Sequence, residues 1–361
     1  MKTGTDRDLT ILSIAYPFAP VRGDTAGGAE QVLSVLDSAL VRSGAGSVVI
    51  ACSGSRTAGN LVPVSRASGL IDDKARWKAW HEVRRAINTI GKERNIDLFH
   101  MHGLDFPQYL PPSGIPVLVT LHLPLQWYAP DVFRIQRPQT YLQCVSENQR
   151  RTCPPGAVLH ATIENGVPVD QMPFIVHKSD YVAALGRICP EKGYHHAISA
   201  AKKSGYPIII AGEIYPYESH VRYFEQMIRP HIDGSDCRFI GRVGWKRKCR
   251  LIAHAHCILI PSRAPETSSL VAMEALACGT PVAAFRSGAL AEIIENGKTG
   301  FIIDTEDEMA DAISRARQIN PMECRRAALE RFSQEKMIQR YFELYQTAIS
   351  ETNTLRPNLW N

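Results

Sequence analysis

Long apolar runs are missing from this sequence. None approaches the ~18 residues needed to cross a bilayer, so no helical membrane span is expected. Closely spaced cysteines are missing too. The nine cysteines (52, 144, 153, 189, 237, 249, 257, 278 and 324) are scattered, odd in number and without a Cys-x-x-Cys pair. That pattern argues for reduced thiols in a cytoplasmic protein, with neither a zinc site nor a disulfide framework. No Gly-x-Gly-x-x-Gly follows an expected strand, because Gly44 and Gly46 come after a helix and read as its C-cap. This weakens a dinucleotide-dehydrogenase reading. A Walker loop and a Gly-x-Ser-x-Gly nucleophile elbow are absent as well. Neither charge sign dominates: 41 Lys and Arg against 36 Asp and Glu leave +5 and a pI near 8.7. That is a mild bias toward anionic partners, and it leaves nucleic acid, phosphorylated metabolites and an anionic membrane surface open.

What is present fits two ordinary globular domains. At 361 residues, 45% hydrophobic and 21% charged, the chain exceeds one core and suits two units of about 150–200 residues. The opening "LTILSIAYPF" follows Asp6, Arg7 and Asp8 and lacks a small-residue cleavage site, so it reads as a first strand and not a signal peptide. Short apolar runs at 10–16, 47–52, 97–102, 116–122 and 140–146 read as strands of one parallel sheet. Runs at 180–186, 206–212, 237–243, 257–262 and 281–286 supply a second. Helical patterns lie between them at 29–43, 74–91, 190–203, 218–229, 269–278 and 307–318. The expected fold is α/β, with two doubly wound, Rossmann-like domains. Gly166, Pro168 and Pro173 break the alternation, so the domains are set at 1–168 and 169–333. The remaining segment, 334–361, carries Met337, Tyr341, Leu344 and Tyr345 on one helical stripe. It docks either on its own domain or back on the first, and periodicity leaves both open.

Doubly wound sheets bind ligands beyond the carboxyl ends of their strands, so the loops there matter most. The first carries Gly27 and Gly28 into a helix; another carries Arg187, Lys192 and Gly193 around a helix start. A third holds Glu266, Ser268 and Ser269 ahead of the small-residue helix "LVAMEALA", which contains Glu274. Helix N-termini favour anions, and an arginine fork with a lysine point charge can neutralise a diphosphate. By spacing alone, Arg187 and Lys192 are equally well two solvated cations. Glu274 either pairs with a buried basic residue or meets a polar ligand, since an unpartnered buried carboxylate is costly.

His100 and His102 share a strand face, but no third ligand is evident, so a metal is not expected there. They read as strand-end groups meeting a ligand or as satisfied core histidines, and His122 is a similar strand-end candidate. The one Asp-x-Asp, Asp6-Arg7-Asp8, sits in a tail where a metal–diphosphate role is not expected. The segment 74–94 is basic and carries Trp77 and Trp80. Its reading is divided between a core stripe with a wet basic face and a helix lying on an anionic membrane.

Together these pieces resemble the retaining glycosyltransferases of the GT-B fold, specifically glycosyltransferase family 4. The resemblance runs through "GGAE" (27–30), "DLFHMHG" (97–103), "VTLH" (119–122), "CVSENQR" (144–150) and "IENGV" (163–167). It continues in "ALGRICPEKG" (184–193), "FIGRV" (239–243), "PSRAPETSSLVAMEALACGTPV" (261–282) and "SGALAEIIENGKTGF" (287–301). The resemblance implies two domains facing each other across a cleft, the first binding the acceptor and the second a nucleoside diphosphate sugar. It assigns Arg187 and Lys192 to the donor diphosphate and leaving group, Glu274 to the ribose hydroxyls and Glu266 to the donor sugar. His122 would contact that sugar near the reacting centre, giving a catalytic set of His122, Arg187, Lys192 and Glu266. Gly27, Gly28, Gly186, Val243, Ser268, Ser269 and Leu270 would complete the donor site, with His100 and His102 on the acceptor side. Ser268 and Ser269 stand where many members have Phe-Gly. The implied reaction moves a hexosyl unit to a hydroxyl of a glycan or lipid-linked glycan by front-face substitution. No metal or cofactor is expected, and no nucleic-acid partner. The expected location is the cytoplasm, with peripheral contact at the inner face of the membrane as an added reading. The alternatives are a sugar-nucleotide epimerase and a non-catalytic sugar-nucleotide sensor.

Overall fold

A computed structural model describes residues 9–355 apart from 24, 26, 67, 68 and 70. Asp6, Arg7 and Asp8 therefore lie outside the described residues. The first sheet contains β1 (Thr10–Ile14), β2 (Gly46–Cys52), β3 (Asn60–Val64), β4 (Leu98–Met101), β5 (Val117–Leu121), β6 (Thr140–Cys144) and β7 (Ala161–Thr162). All pair in parallel in the order β3-β2-β1-β4-β5-β6-β7. Its helices are α1 (Gly28–Arg42), α2 (Asp73–Glu93) and the short α3 (Glu147–Arg151).

The second sheet contains β8 (Val182–Leu185), β9 (Ile208–Ala211), β10 (Cys237–Phe239), β11 (Cys257–Ile260), β12 (Val282–Phe285) and β13 (Gly300–Ile303). They too pair in parallel, in the order β10-β9-β8-β11-β12-β13. Around them lie α4 (Tyr194–Ser204), α5 (Glu218–Tyr223), α6 (Trp245–His254), α7 (Leu270–Ala277) and α8 (Leu290–Ile293). Then come α9 (Glu306–Arg315), α10 (Pro321–Arg331) and α11 (Gln334–Leu355). The expectation of two doubly wound α/β domains holds. Continuous apolar strands such as "IIIA" and "CILI" are buried throughout because helices cover both faces.

The last helix crosses over. Met337, Tyr341, Tyr345 and Ala348 of α11 are buried in one cluster with Ile11, Leu98, Leu118 and Tyr141 of the first sheet. The chain passes between the domains twice, side by side: Val167 N–H donates to Phe332 O (2.8 Å) and Gln334 N–H donates to Val167 O (3.0 Å). Strand order reverses direction between β1 and β4 in one sheet and between β8 and β11 in the other. Such switch points open a crevice at the carboxyl ends of the strands. Gly27, Gly28, His102, Gly186, Arg187 and Glu266 all follow one of these four strands.

Candidate active site

The site is built from loops of both domains. After β1 the chain turns into α1, whose N-cap Gly27 is extended (φ −87°, ψ 130°) and makes no side-chain cap bond. Glu30, in the first turn and 7% exposed, folds back over that end: a Cβ on Gly27 would lie 1.8 Å from Glu30 Oε2. Burial raises the Glu30 carboxyl pKa, while its own backbone N–H and then the charge of Arg187 oppose this. Facing α1 is the start of α7. A Cβ on Gly28 would sit 3.6 Å from Leu270 Cδ1, so these helix N-termini from different domains approach within side-chain contact. Ser269 caps α7 by accepting from Ala272 N–H (3.4 Å), and the Ser268 hydroxyl is buried without a partner among the described residues.

Arg187 and Lys192 flank the turn after β8. Gly186 has φ 139° and Gly193 φ 63°. A side chain at 193 would also meet Pro261 O at 2.4 Å, so glycine is required there on two counts. Burial works against the Arg187 charge, but Cys189, Tyr215, Glu30 and Glu266 around it prevail and raise its pKa. Among the described residues its guanidinium has no hydrogen-bond partner. Lys192 Nζ binds Glu266 Oε1 at 2.6 Å, and Ser262 Oγ donates to the same oxygen. The backbone of Glu266 is fixed as well, since Ala289 N–H donates to its carbonyl at 2.7 Å.

Glu274 is 2% exposed, and a partner meets it. Lys248 of α6 donates to Oε1 at 2.5 Å, and Oε2 is buried with no hydrogen bond among the described residues. Lys248 also lies 4.9 Å from the Trp245 ring and 3.5 Å from Gln31 Oε1 of α1. The carboxylate thus has its charge balanced through Oε1 alone. The reading of Glu274 as the partner of a buried basic residue describes Oε1. Val243, between β10 and α6, is partly buried against the second core.

His122 is 9% exposed at the end of β5, and Thr267 of the second domain donates to its carbonyl at 2.7 Å. Its Nε2 pairs with His102 Nδ1 at 3.0 Å, and His102 Nε2 is buried and unpartnered among the described residues. Burial lowers both pKa values, that of His122 to about 3, so both rings are neutral at pH 7. The acceptor-side assignment of His100 is corrected. His100 is fully buried, with Nδ1 bonded to Tyr345 Oη (2.8 Å) and Nε2 to Thr120 Oγ1 (2.7 Å). It faces α11 within the core, so no ligand reaches it.

Sequence reasoning missed Lys248, Glu30 as a separate group, Tyr194 and the pair Tyr16–Tyr217. The Tyr194 hydroxyl is buried beside Gly186 and unpartnered among the described residues, and Tyr16 and Tyr217 join the domains through hydroxyls 3.0 Å apart. A signal for Lys248 existed: a glutamate in an apolar helix calls for a cation, and "GWKRKCRL" is the basic stretch nearest before it.

Residues 170–332 match the family described as glycosyl transferases group 1. The chain is 31% identical over 155 residues to the glycogen synthase of Mycobacterium tuberculosis, covering 40% of this chain and 36% of that one. It is 30% identical over 212 residues to the D-inositol 3-phosphate glycosyltransferase of Mycolicibacterium smegmatis, covering 56% and 46%. The matched stretch thus spans less than half the length of these curated relatives. The solved structure of Anabaena HepE in complex with UDP-glucose superposes with a TM-score of 0.72 at 18% identity, over 94% of this chain and 100% of that one. The fold is that of the GT-B glycosyltransferases.

Proposed function

We propose that this protein is a retaining glycosyltransferase that moves a hexosyl unit from a nucleoside diphosphate sugar to a hydroxyl of a glycan or lipid-linked glycan. The observation that carries the reading is the convergence, between two helix N-termini from opposite domains, of Arg187, Lys192, Glu266 and Glu274. The helix ends and the two cations suit a diphosphate. The bare Glu274 oxygen suits a ribose hydroxyl, and Glu266 with the neutral His122 suits the sugar. Arg187 and Lys192 would stabilise the departing diphosphate electrostatically. That diphosphate would in turn take the acceptor proton in a front-face substitution, without a catalytic metal.

The family match in the second domain supports the donor side. The UDP-glucose held by HepE makes a uridine nucleotide the first donor to try. Acceptor choice is assigned to the first domain. The test is a donor panel of UDP, GDP, ADP, dTDP and CDP in thermal shift, followed by NMR of the transfer product. One diphosphate should stabilise the protein, about 2.7 kcal/mol at ~100 Kd, and its sugar should be transferred with retained anomeric configuration. No stabilisation by any diphosphate, or an inverted product, would overturn the reading.

No helix among the described residues is long and apolar enough to cross a membrane. A peripheral contact is proposed for α2, whose Lys74, Lys78, Arg84 and Arg85 are exposed beside Trp77, itself 66% exposed. Anionic vesicles at low salt should sediment the protein, and failure to do so removes this part of the proposal.

A further inference from the structure

Beside the donor loop lies a group of side chains that the proposed transfer does not use. The Cys189 thiol, a Glu191 carboxylate oxygen and a His220 ring nitrogen all lie within 4.8 Å of one another. Cys189 and His220 are buried and Glu191 is exposed, so the group has a sulfur and imidazole floor and an anionic rim open to solvent. His220 is 8% exposed, and its Nδ1 is buried with no hydrogen-bond partner among the described residues. Buried polar atoms are satisfied in the great majority of cases, so this nitrogen asks for a ligand. The Cys189 sulfur makes a long contact to Arg187 O, at 3.7 Å, and is hydrogen-bonded to the Glu191 carboxylate.

Thiolate, imidazole and carboxylate form a donor set suited to a borderline-soft divalent cation such as Zn²⁺. In a tetrahedral centre with ordinary Zn–S, Zn–N and Zn–O lengths, ligand atoms sit roughly 3.3–3.5 Å apart. The group needs to tighten by about an ångström or so, and the solvent-exposed Glu191 has the freedom to swing inward. Charge also fits: one thiolate and one carboxylate balance a divalent ion, so the filled site is neutral beside the Arg187 guanidinium. Burial and then Arg187 lower the His220 pKa, which keeps the ring in its neutral, ligating form. Burial raises the Cys189 pKa to about 11, so its proton leaves to solvent as the metal takes its place.

We propose that Cys189, Glu191 and His220 bind one zinc-class divalent cation, with water in the fourth position, and that this ion ties the turn Pro190–Lys192 to α5. The consequence is mechanical. That turn carries Lys192 and begins three residues after Arg187, so a filled site fixes the segment bearing both cations. The inference stands independently of the transfer reading, because it is tested by metal uptake and spectra and not by turnover.

The experiment is a Co²⁺ titration of the full chain after chelator treatment. Wild type and Cys153→Ser, a change at the one cysteine that is not buried, should bind one equivalent. Both should show a thiolate-to-cobalt charge-transfer band that Zn²⁺ displaces. Cys189→Ser should lose the band, and His220→Ala should lose tight binding. Glu191→Gln, an exposed change that leaves the core untouched, should weaken Co²⁺ binding and reduce the rise in thermal midpoint that Zn²⁺ produces in wild type. The proposal is overturned by absence of the band in wild type or its persistence in Cys189→Ser. Affinity unchanged in Glu191→Gln overturns the three-ligand set.

Discussion

At the scale of single residues, the site is two ion pairs of different kinds. Lys192 and Glu266 are 28% and 10% exposed at their side chains, and their pairing must loosen if Lys192 is to hold a diphosphate. Replacing Lys192 by alanine should remove charge-assisted contacts of about 1.5–3 kcal/mol, a roughly 10- to 150-fold fall, mainly in kcat. Steady-state kinetics at saturating donor checks this, and an unchanged kcat would remove Lys192 from the leaving-group role. Lys248 and Glu274 are deeper, at 12% and 2%. Lys248→Met strands a buried carboxylate and should destabilise the fold by about 3–5 kcal/mol in urea unfolding. The double change Lys248→Met/Glu274→Gln should recover part of that loss, because it removes the stranded charge. Glu266 and Glu274 could be singled out from sequence because acids beside a small, apolar helix are locally anomalous. Their partners could not be, because Lys192 and Lys248 reach them only through the packing of separate loops and helices.

At the scale of elements, α11 is the piece whose place matters most. Its stripe announces a buried face, but Tyr341 and Tyr345 meet Gln143, Thr120 and His100 of the first domain. Gln143 donates to Tyr341 Oη at 2.6 Å and to Thr120 Oγ1 at 2.9 Å. Tyr341→Phe should strand that buried amide in part and cost about 1–3 kcal/mol in chemical denaturation. If α11 were loosely held, the loss would be near zero. The elements absent from the sequence reading are β3, β7, β13, α3, α6, α8 and α10. Two have evident causes: β3 is an edge strand containing Pro63 and partly exposed, and β7 is two residues long. Neither shows the apolar run that marks its neighbours.

The whole molecule is held as one by the twin chain crossing at Val167 and Phe332 and by hydroxyl contacts across the cleft. Its stability also has a pH signature. Burial holds the pKa values of His100, His102 and His122 below the ordinary value, that of His122 at about 3. An unfolded histidine titrates near 6.5, so below that pH the unfolded chain binds more protons than the folded one. Their contribution is therefore complete above about pH 6.5. It falls with acidification by up to about 1.4 kcal/mol per pH unit for each ring. Glu30 and Asp105, whose pKa values burial raises, act in the opposite sense. The comparison of wild type with His122→Asn isolates the histidine part: the variant should show a shallower loss between pH 6.5 and 5. Parallel curves would mean that His122 is not buried neutral in solution.

Taken alone, the sequence determined the two parallel α/β sheets, because short apolar strands alternating with helices have few other ways to bury both faces. It also marked the loops that matter, because glycine, serine and charged residues before a helix are local signals. Only the tertiary structure decided that Lys248 neutralises Glu274, that His100 turns into the core and that α11 returns to the first domain. Only the fold brings His220 to Cys189 and Glu191. Those pairings join positions far apart in the chain, and strand order and helix docking set them, which no local period or composition encodes.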